Sequence, residues 1–96
     1  MVEYRLTPAA EHDLEAIWTY TVQQWDSKQA NRYTDIITAA FSELAQAPKM
    51  AQACDYIRPG YRRLSVERHM IYFRITAYGI VIVRILHDRM DPPRYL

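Results

Sequence analysis

Polar and apolar residues alternate from the first positions of the chain. Val2, Tyr4 and Leu6 are interleaved with Glu3, Arg5 and Thr7, a period of two that predicts a short strand. The period changes at Thr7-Pro8. Thr7 suits an N-cap and Pro8 the first helical position, while Glu11, Asp13 and Glu15 set negative charge near the positive end of a helix dipole. The helix predicted here carries an apolar face of Leu14, Ile17, Trp18, Thr21, Val22 and Trp25. Asp26-Ser27 interrupts that stripe and offers a second cap, after which Ala30, Tyr33, Ile37, Ala40, Phe41 and Leu44 recur at helical spacing. The two helices form a hairpin, and Ala47-Pro48 ends the second, because a residue before proline is pushed out of the α region.

Lys49 to Gly60 shows no clear period and reads as a connecting loop. Strand patterning then returns. Tyr61 to Val66 is one strand, Glu67-Arg68 a tight turn, and His69 to Ile75 the next strand, with Met70, Tyr72 and Arg74 on one face and Ile71, Phe73 and Ile75 on the other. Ile80 to Leu86 is apolar on both faces apart from Arg84, the mark of a strand covered on both sides. Asp91-Pro92-Pro93 ends regular structure and leaves Arg94-Tyr95-Leu96 as a tail. The order is β-α-α-β-β-β, an α+β fold with a helical hairpin on one face of a small, mainly antiparallel sheet. Nothing else in the pattern covers the opposite face, which is expected to be open and to carry arginine.

Composition narrows the class. With 96 residues, half of them hydrophobic and 24% charged, the chain has the material for one soluble globular domain, spanning 1–96, and not for two. Its longest apolar run, Gly79 to Leu86, is far short of the ~20 residues needed to span a bilayer. Glu3, Arg5, Glu11 and Asp13 interrupt any secretory h-region, so a cytoplasmic location is expected. Cys54 is the only cysteine, which excludes an intrachain disulfide and a cysteine-based zinc site, and it reads as a small apolar core residue.

A net charge of +1 argues against wrapping nucleic acid by bulk electrostatics, but the charges are unevenly placed. Acids dominate up to Gln46. From Arg58 onward stand Arg58, Arg62, Arg63, Arg68, Arg74, Arg84, Arg89 and Arg94 against Glu67, Asp88 and Asp91. This is an arginine surface, and a guanidinium fork matches phosphate or carboxylate better than a lysine point charge does. One reading makes it a phosphate grip with His87 or His69 as acid or base; the other makes it a solvated face paired with local acids. Arg84 stands apart, since an arginine within an apolar strand needs a counter-charge or an open face. No two histidines have the i, i+4 spacing of a metal pair, Ser65 lacks a nucleophile elbow, and two glycines cannot build a phosphate loop. Neither a metal nor an organic cofactor is expected. Trp18, Tyr20, Trp25, Tyr33 and Phe41 read chiefly as core, although a partly exposed stripe through Trp18 and Trp25 would make a groove for an amphipathic partner helix.

Five stretches, Tyr4-Arg5-Leu6-Thr7-Pro8-Ala9-Ala10, Asp13-Leu14-Glu15-Ala16-Ile17-Trp18, Cys54 to Leu64, His69 to Arg74, and Val83 to Asp91, resemble in order and spacing the ParE-type toxins of the RelE/ParE superfamily. The resemblance implies a bacterial type II toxin of matching fold, held inactive by an antitoxin whose C-terminal segment wraps it. On that basis the antitoxin is expected on the hairpin and part of the arginine face, at Trp18, Val22, Trp25, Tyr33, Ile37, Phe41, Tyr72 and Arg74. ParE-type toxins block DNA gyrase, for which Arg58, Arg62, Arg63, Arg74, Arg84, His87 and Arg89 are the candidate contacts. RelE-type toxins instead cleave ribosome-bound messenger RNA. In that alternative Arg62, Arg74, Arg84 or Arg89 would hold the scissile phosphate and His87 or Tyr95 would move the proton. The chain departs from the ribonuclease pattern, with His69 where those enzymes tend to carry a catalytic arginine and Arg62-Arg63 where they carry lysines. Gyrase inhibition without chemistry is therefore the leading expectation.

Overall fold

A computed structural model describes residues 3–96. Its elements are β1 (Glu3–Leu6), α1 (Pro8–Gln24), α2 (Ser27–Gln46), β2 (Gln52–Ala53), β3 (Tyr61–Val66), β4 (His69–Ile75) and β5 (Gly79–His87), with short 3-10 turns at Pro48–Met50 and Pro92–Arg94. Both predicted caps form. Thr7 Oγ1 accepts from the Ala10 N–H at 3.1 Å and Asp26 Oδ1 from the Gln29 N–H at 2.7 Å. The expected alternation through Val2 lies partly outside the described residues, and β1 occupies its remainder.

The five strands form one sheet in the order β1-β5-β4-β3-β2, antiparallel except for the parallel pairing of β1 with β5. That parallel pair is unusually close at one point: a Cβ at Gly79 would sit 1.9 Å from the Glu3 carbonyl oxygen, so only glycine fits there. Gln52–Ala53 adds a two-residue strand to what the pattern reads as loop. Its pairing with Arg62 and Arg63 ties the loop to the sheet edge.

The hairpin covers one face of the sheet. Ile17 of α1 and Ile37, Phe41 and Leu44 of α2 bury against Ile71, Phe73, Ile80, Ile82 and Ile85. The periodic face predicted for α2 is therefore the main core. Trp25 departs from the face predicted for α1 and is 75% exposed, because it lies past the last helical residue.

The opposite face is not open, which corrects the expectation. Cys54, Tyr72 and Leu86 are buried there beneath Ile57, Tyr61, Met70, Met90 and Leu96. The loop from 54 to 60 and the tail after β5 fold over it, and the Arg58 guanidinium donates to the Leu96 main-chain oxygen, joining the two covers. Cys54 is a core residue, and burial pushes its thiol pKa up.

Candidate functional site

Three arrangements organise the charged residues. The first surrounds Arg84. Between Tyr72 and Phe73 the β4–β5 register skips Val83, a bulge that re-aims the strand. Beyond Leu6, β5 has no strand on its β1 side, and groups from the start of α1 take its place. Thr7 Oγ1 donates to the Val83 carbonyl at 2.7 Å, and the Ile85 N–H donates to Asp13 Oδ2 at 2.9 Å. Arg84 then closes a two-pronged pair on Asp13, Nε to Oδ2 at 2.7 Å and the second amino group to Oδ1 at 2.8 Å. The bond to Asp13 raises the Arg84 pKa still further against the opposing effect of burial. The counter-charge that the sequence demanded is Asp13, recognised beforehand only as a helix-dipole acid. The remaining terminal nitrogen of Arg84 donates to the Tyr95 carbonyl at 3.2 Å.

The second is a polar chain where the β3–β4 turn meets the end of β5. Glu67 in that turn takes a φ of 55°, and His69 and His87 face each other across the strands with ring centroids 5.3 Å apart. The Arg68 N–H donates to the Tyr33 hydroxyl at 3.3 Å. The same hydroxyl is hydrogen-bonded to His69 Nδ1 at 2.7 Å. Burial first, and the charge of His87 second, hold the His69 pKa below its ordinary value. Burial likewise raises the Tyr33 phenol, against the Arg68 hydrogen bond. Nothing in the spacing of the sequence linked Tyr33 to the two histidines; only the strand register does.

The third is the dispersal of the other arginines. Arg62 shares the hairpin side of β3 with Leu64 and donates to the Ala51 carbonyl at 2.8 Å. Arg63 points the other way, donates to Gln52 Oε1 at 3.2 Å and lies over the Tyr56 ring. Burial raises the Tyr72 phenol beside it, with the Arg63 hydrogen bond opposing. Arg74 is exposed at the end of β4 remote from His69, roughly 17 Å along the strand at about 3.4 Å per residue. Arg89 is exposed in the tail. The structure thus brings Arg84 to Tyr95 and His69 to His87, but spreads Arg62, Arg74 and Arg84 over different faces and ends of the sheet. Among the described residues no three potential ligands cluster for a metal.

On the outer side of the hairpin lies a groove of about 390 Å³ lined by Leu6, Leu14, Trp18, Thr34 and Thr38, with Glu11 and Glu15 on its walls. Trp18 is 36% exposed and is held by a 2.8 Å hydrogen bond from its indole to Asn31 Oδ1. Three of the expected antitoxin contacts are buried in this structure. Ile37, Phe41 and Tyr72 are 0%, 1% and 2% exposed, so their side chains are spent on the two cores and offer a partner no surface. Trp18 and Trp25 remain exposed, with Val22 and Tyr33 partly so and Arg74 exposed.

Comparison with known proteins agrees with this architecture. A family described as "ParE toxin of type II toxin-antitoxin system, parDE" matches residues 4–92. The chain is 44% identical over 94 residues to a Mycobacterium tuberculosis protein named Toxin ParE1, covering 97% of this chain and 96% of that one. It is 35% identical over 96 residues to Toxin ParE1 of Caulobacter vibrioides, covering 100% and 99%. A solved structure titled "Chromosomal ParDE TA system from P. aeruginosa" superposes with a TM-score of 0.80 at 26% identity, covering 91% of this chain and 96% of the other. A β-α-α-β-β-β-β chain that matches the family from Tyr4 to Pro92 and its relatives over nearly their whole length belongs to the ParE toxins of type II toxin-antitoxin systems.

Proposed function

We propose that this toxin arrests growth from the cytoplasm by binding DNA gyrase without chemistry of its own, and that a cognate antitoxin neutralises it by covering the hairpin groove. The dispersal of the arginines carries this reading. Arg58, Arg62, Arg63 and Arg84 direct guanidinium donors at groups within the chain, and Arg62, Arg74 and Arg84 do not converge on one phosphate-sized position. A surface that binds by area and charge tolerates such spacing; a phosphoryl-cleaving site, which needs donors within hydrogen-bond reach of one reacting group, does not. Arg74, Arg89 and His87 are the candidate target contacts with exposed surface to offer.

The groove suits an apolar side chain from the antitoxin, entering between Leu14 and Trp18, with a basic residue alongside for Glu11 and Glu15. An acidic residue would meet Arg74. Trp18→Ala is expected to weaken antitoxin binding by about tenfold or more in calorimetric titration. A joint Trp18, Tyr33 and Arg74 substitution with unchanged affinity would put the antitoxin elsewhere. For the target, purified toxin should alter gyrase supercoiling or cleavage-complex levels at concentrations that arrest growth, and unchanged levels would refute the proposal.

One observation favours the ribonuclease alternative, namely the paired rings of His69 and His87 with Tyr33 behind them. New messenger ends seen by primer extension after induction, lost in His87→Ala/Tyr95→Phe, would establish it.

A further inference from the structure

His87 Nδ1 faces two groups that make opposite demands. It lies 3.2 Å from the Arg89 backbone nitrogen, whose N–H needs a lone pair there, and 3.0 Å from Asp88 Oδ1, which needs a hydrogen there. One nitrogen cannot satisfy both at once. With a lone pair on Nδ1 the ring holds the Arg89 N–H and leaves the Asp88 carboxylate opposed. Starting from the neutral Nε2–H tautomer, protonation puts a hydrogen on Nδ1, which then donates to Asp88 as an imidazolium-carboxylate pair and releases the Arg89 N–H.

We propose that His87 is a proton-operated switch in the turn leaving β5, exchanging the Arg89 N–H for the Asp88 carboxylate as its partner and so resetting the anchor of the tail. The proton comes from solvent, since the His87 side chain is 37% exposed. It is placed on His87 and not on its neighbour. His69 Nδ1 is already engaged with the Tyr33 hydroxyl, and its ring centroid is 5.3 Å from that of His87, so the pair does not readily hold two charges. Burial and the His87 charge lower the His69 pKa, in the same sense. The other charged groups bearing on the pair are Asp13 from α1, Tyr33 from α2, Glu67 and Arg68 from the β3–β4 turn, and Asp88 and Arg89 themselves.

The exchange reaches the second core through Met90. Its N–H donates to the His87 carbonyl at 3.0 Å, its sulfur accepts from the His87 N–H at 3.4 Å, and its side chain packs against the cluster of Cys54, Tyr72 and Leu86. A turn that changes partner at Arg89 therefore changes the seat of Met90, and with it one of the residues holding the tail down. The device stands whichever macromolecule the toxin engages.

The test is the titration of the purified chain by nuclear magnetic resonance between about pH 5 and pH 8, the range in which an imidazole changes charge. The Arg89 amide should move with the same midpoint as the His87 ring. In His87→Asn, whose carboxamide oxygen accepts from the Arg89 N–H but takes no proton, the Arg89 amide should stay still, with circular dichroism confirming the fold. An Arg89 amide that is motionless while the ring titrates, an Arg89 amide that still titrates in His87→Asn, or a His87 ring that takes no proton in this range overturns the proposal.

Discussion

The two faces of the sheet are closed in different ways. On one, two helices of regular period bring Ile17, Ile37, Phe41 and Leu44 onto Ile71, Phe73, Ile80 and Ile82. On the other, an aperiodic loop and a tail lower Ile57, Met90 and Leu96 onto only Cys54, Tyr72 and Leu86. The first face is held by many apolar contacts distributed along whole elements. The second is held by a few contacts plus the hydrogen bonds from Arg58 to Leu96 and from Arg84 to Tyr95. Cover of the second kind opens locally at a smaller free-energy cost than the domain unfolds. The difference teaches that the hairpin face carries most of the buried apolar contact, while the tail face rests on a few side chains and arginine hydrogen bonds.

Substitutions can break or sharpen that contrast. Phe73→Ala, at the centre of the hairpin face and 0% exposed, should cost about 4 kcal/mol and lower the urea midpoint most. Asp13→Ala should cost about 3 kcal/mol, because Arg84 is left half-buried without its counter-charge. In a double-mutant cycle with Arg84→Met the two losses should fall well short of adding; strict additivity would mean that the pair is not coupled. Leu96→Ala, on the tail face, should cost about 1 kcal/mol and leave the denaturant slope unchanged. A loss as large as that of Phe73→Ala would erase the distinction between the faces.

The smallest effect concerns pH. His69 has a folded pKa below its unfolded value near 6.5, so the unfolded chain binds the extra proton. Its contribution is therefore complete above the unfolded value and is lost as pH falls through the lowered folded one. Urea midpoints measured on either side of that window should differ less in His69→Asn than in the parent. An equal difference would remove His69 from the pH dependence.

How much was readable beforehand follows the same division. The bounds of β3 and β4, both helix caps and the buried stripe of α2 lay open in the sequence, because period and capping chemistry are local. The cover over Tyr72 and Leu86 was not, since loop and tail have no period and meet only through contacts distant in sequence. The need of Arg84 for a partner was plain, but choosing Asp13 over Glu11 or Glu15 requires the rotation of α1 against β5. The pairing of His69 with His87 depends on a bulge at Val83 that no pattern announces. Ile37 and Phe41, expected at a partner surface, are buried in the core, and the spacing that makes a docking stripe also makes a core.

The close fit of Gly79 against Glu3 also bears on synthesis. β1 is the first strand to leave the ribosome and β5 the last, and they are parallel neighbours. Until Gly79 to Ile82 have emerged, β1 has no neighbour, and until Ile85 has emerged, Asp13 has neither its N–H nor Arg84. Closing so long a loop comes late in folding. A chain that stops short of β5 therefore holds a hairpin whose first strand and whose Asp13 both lack their partners.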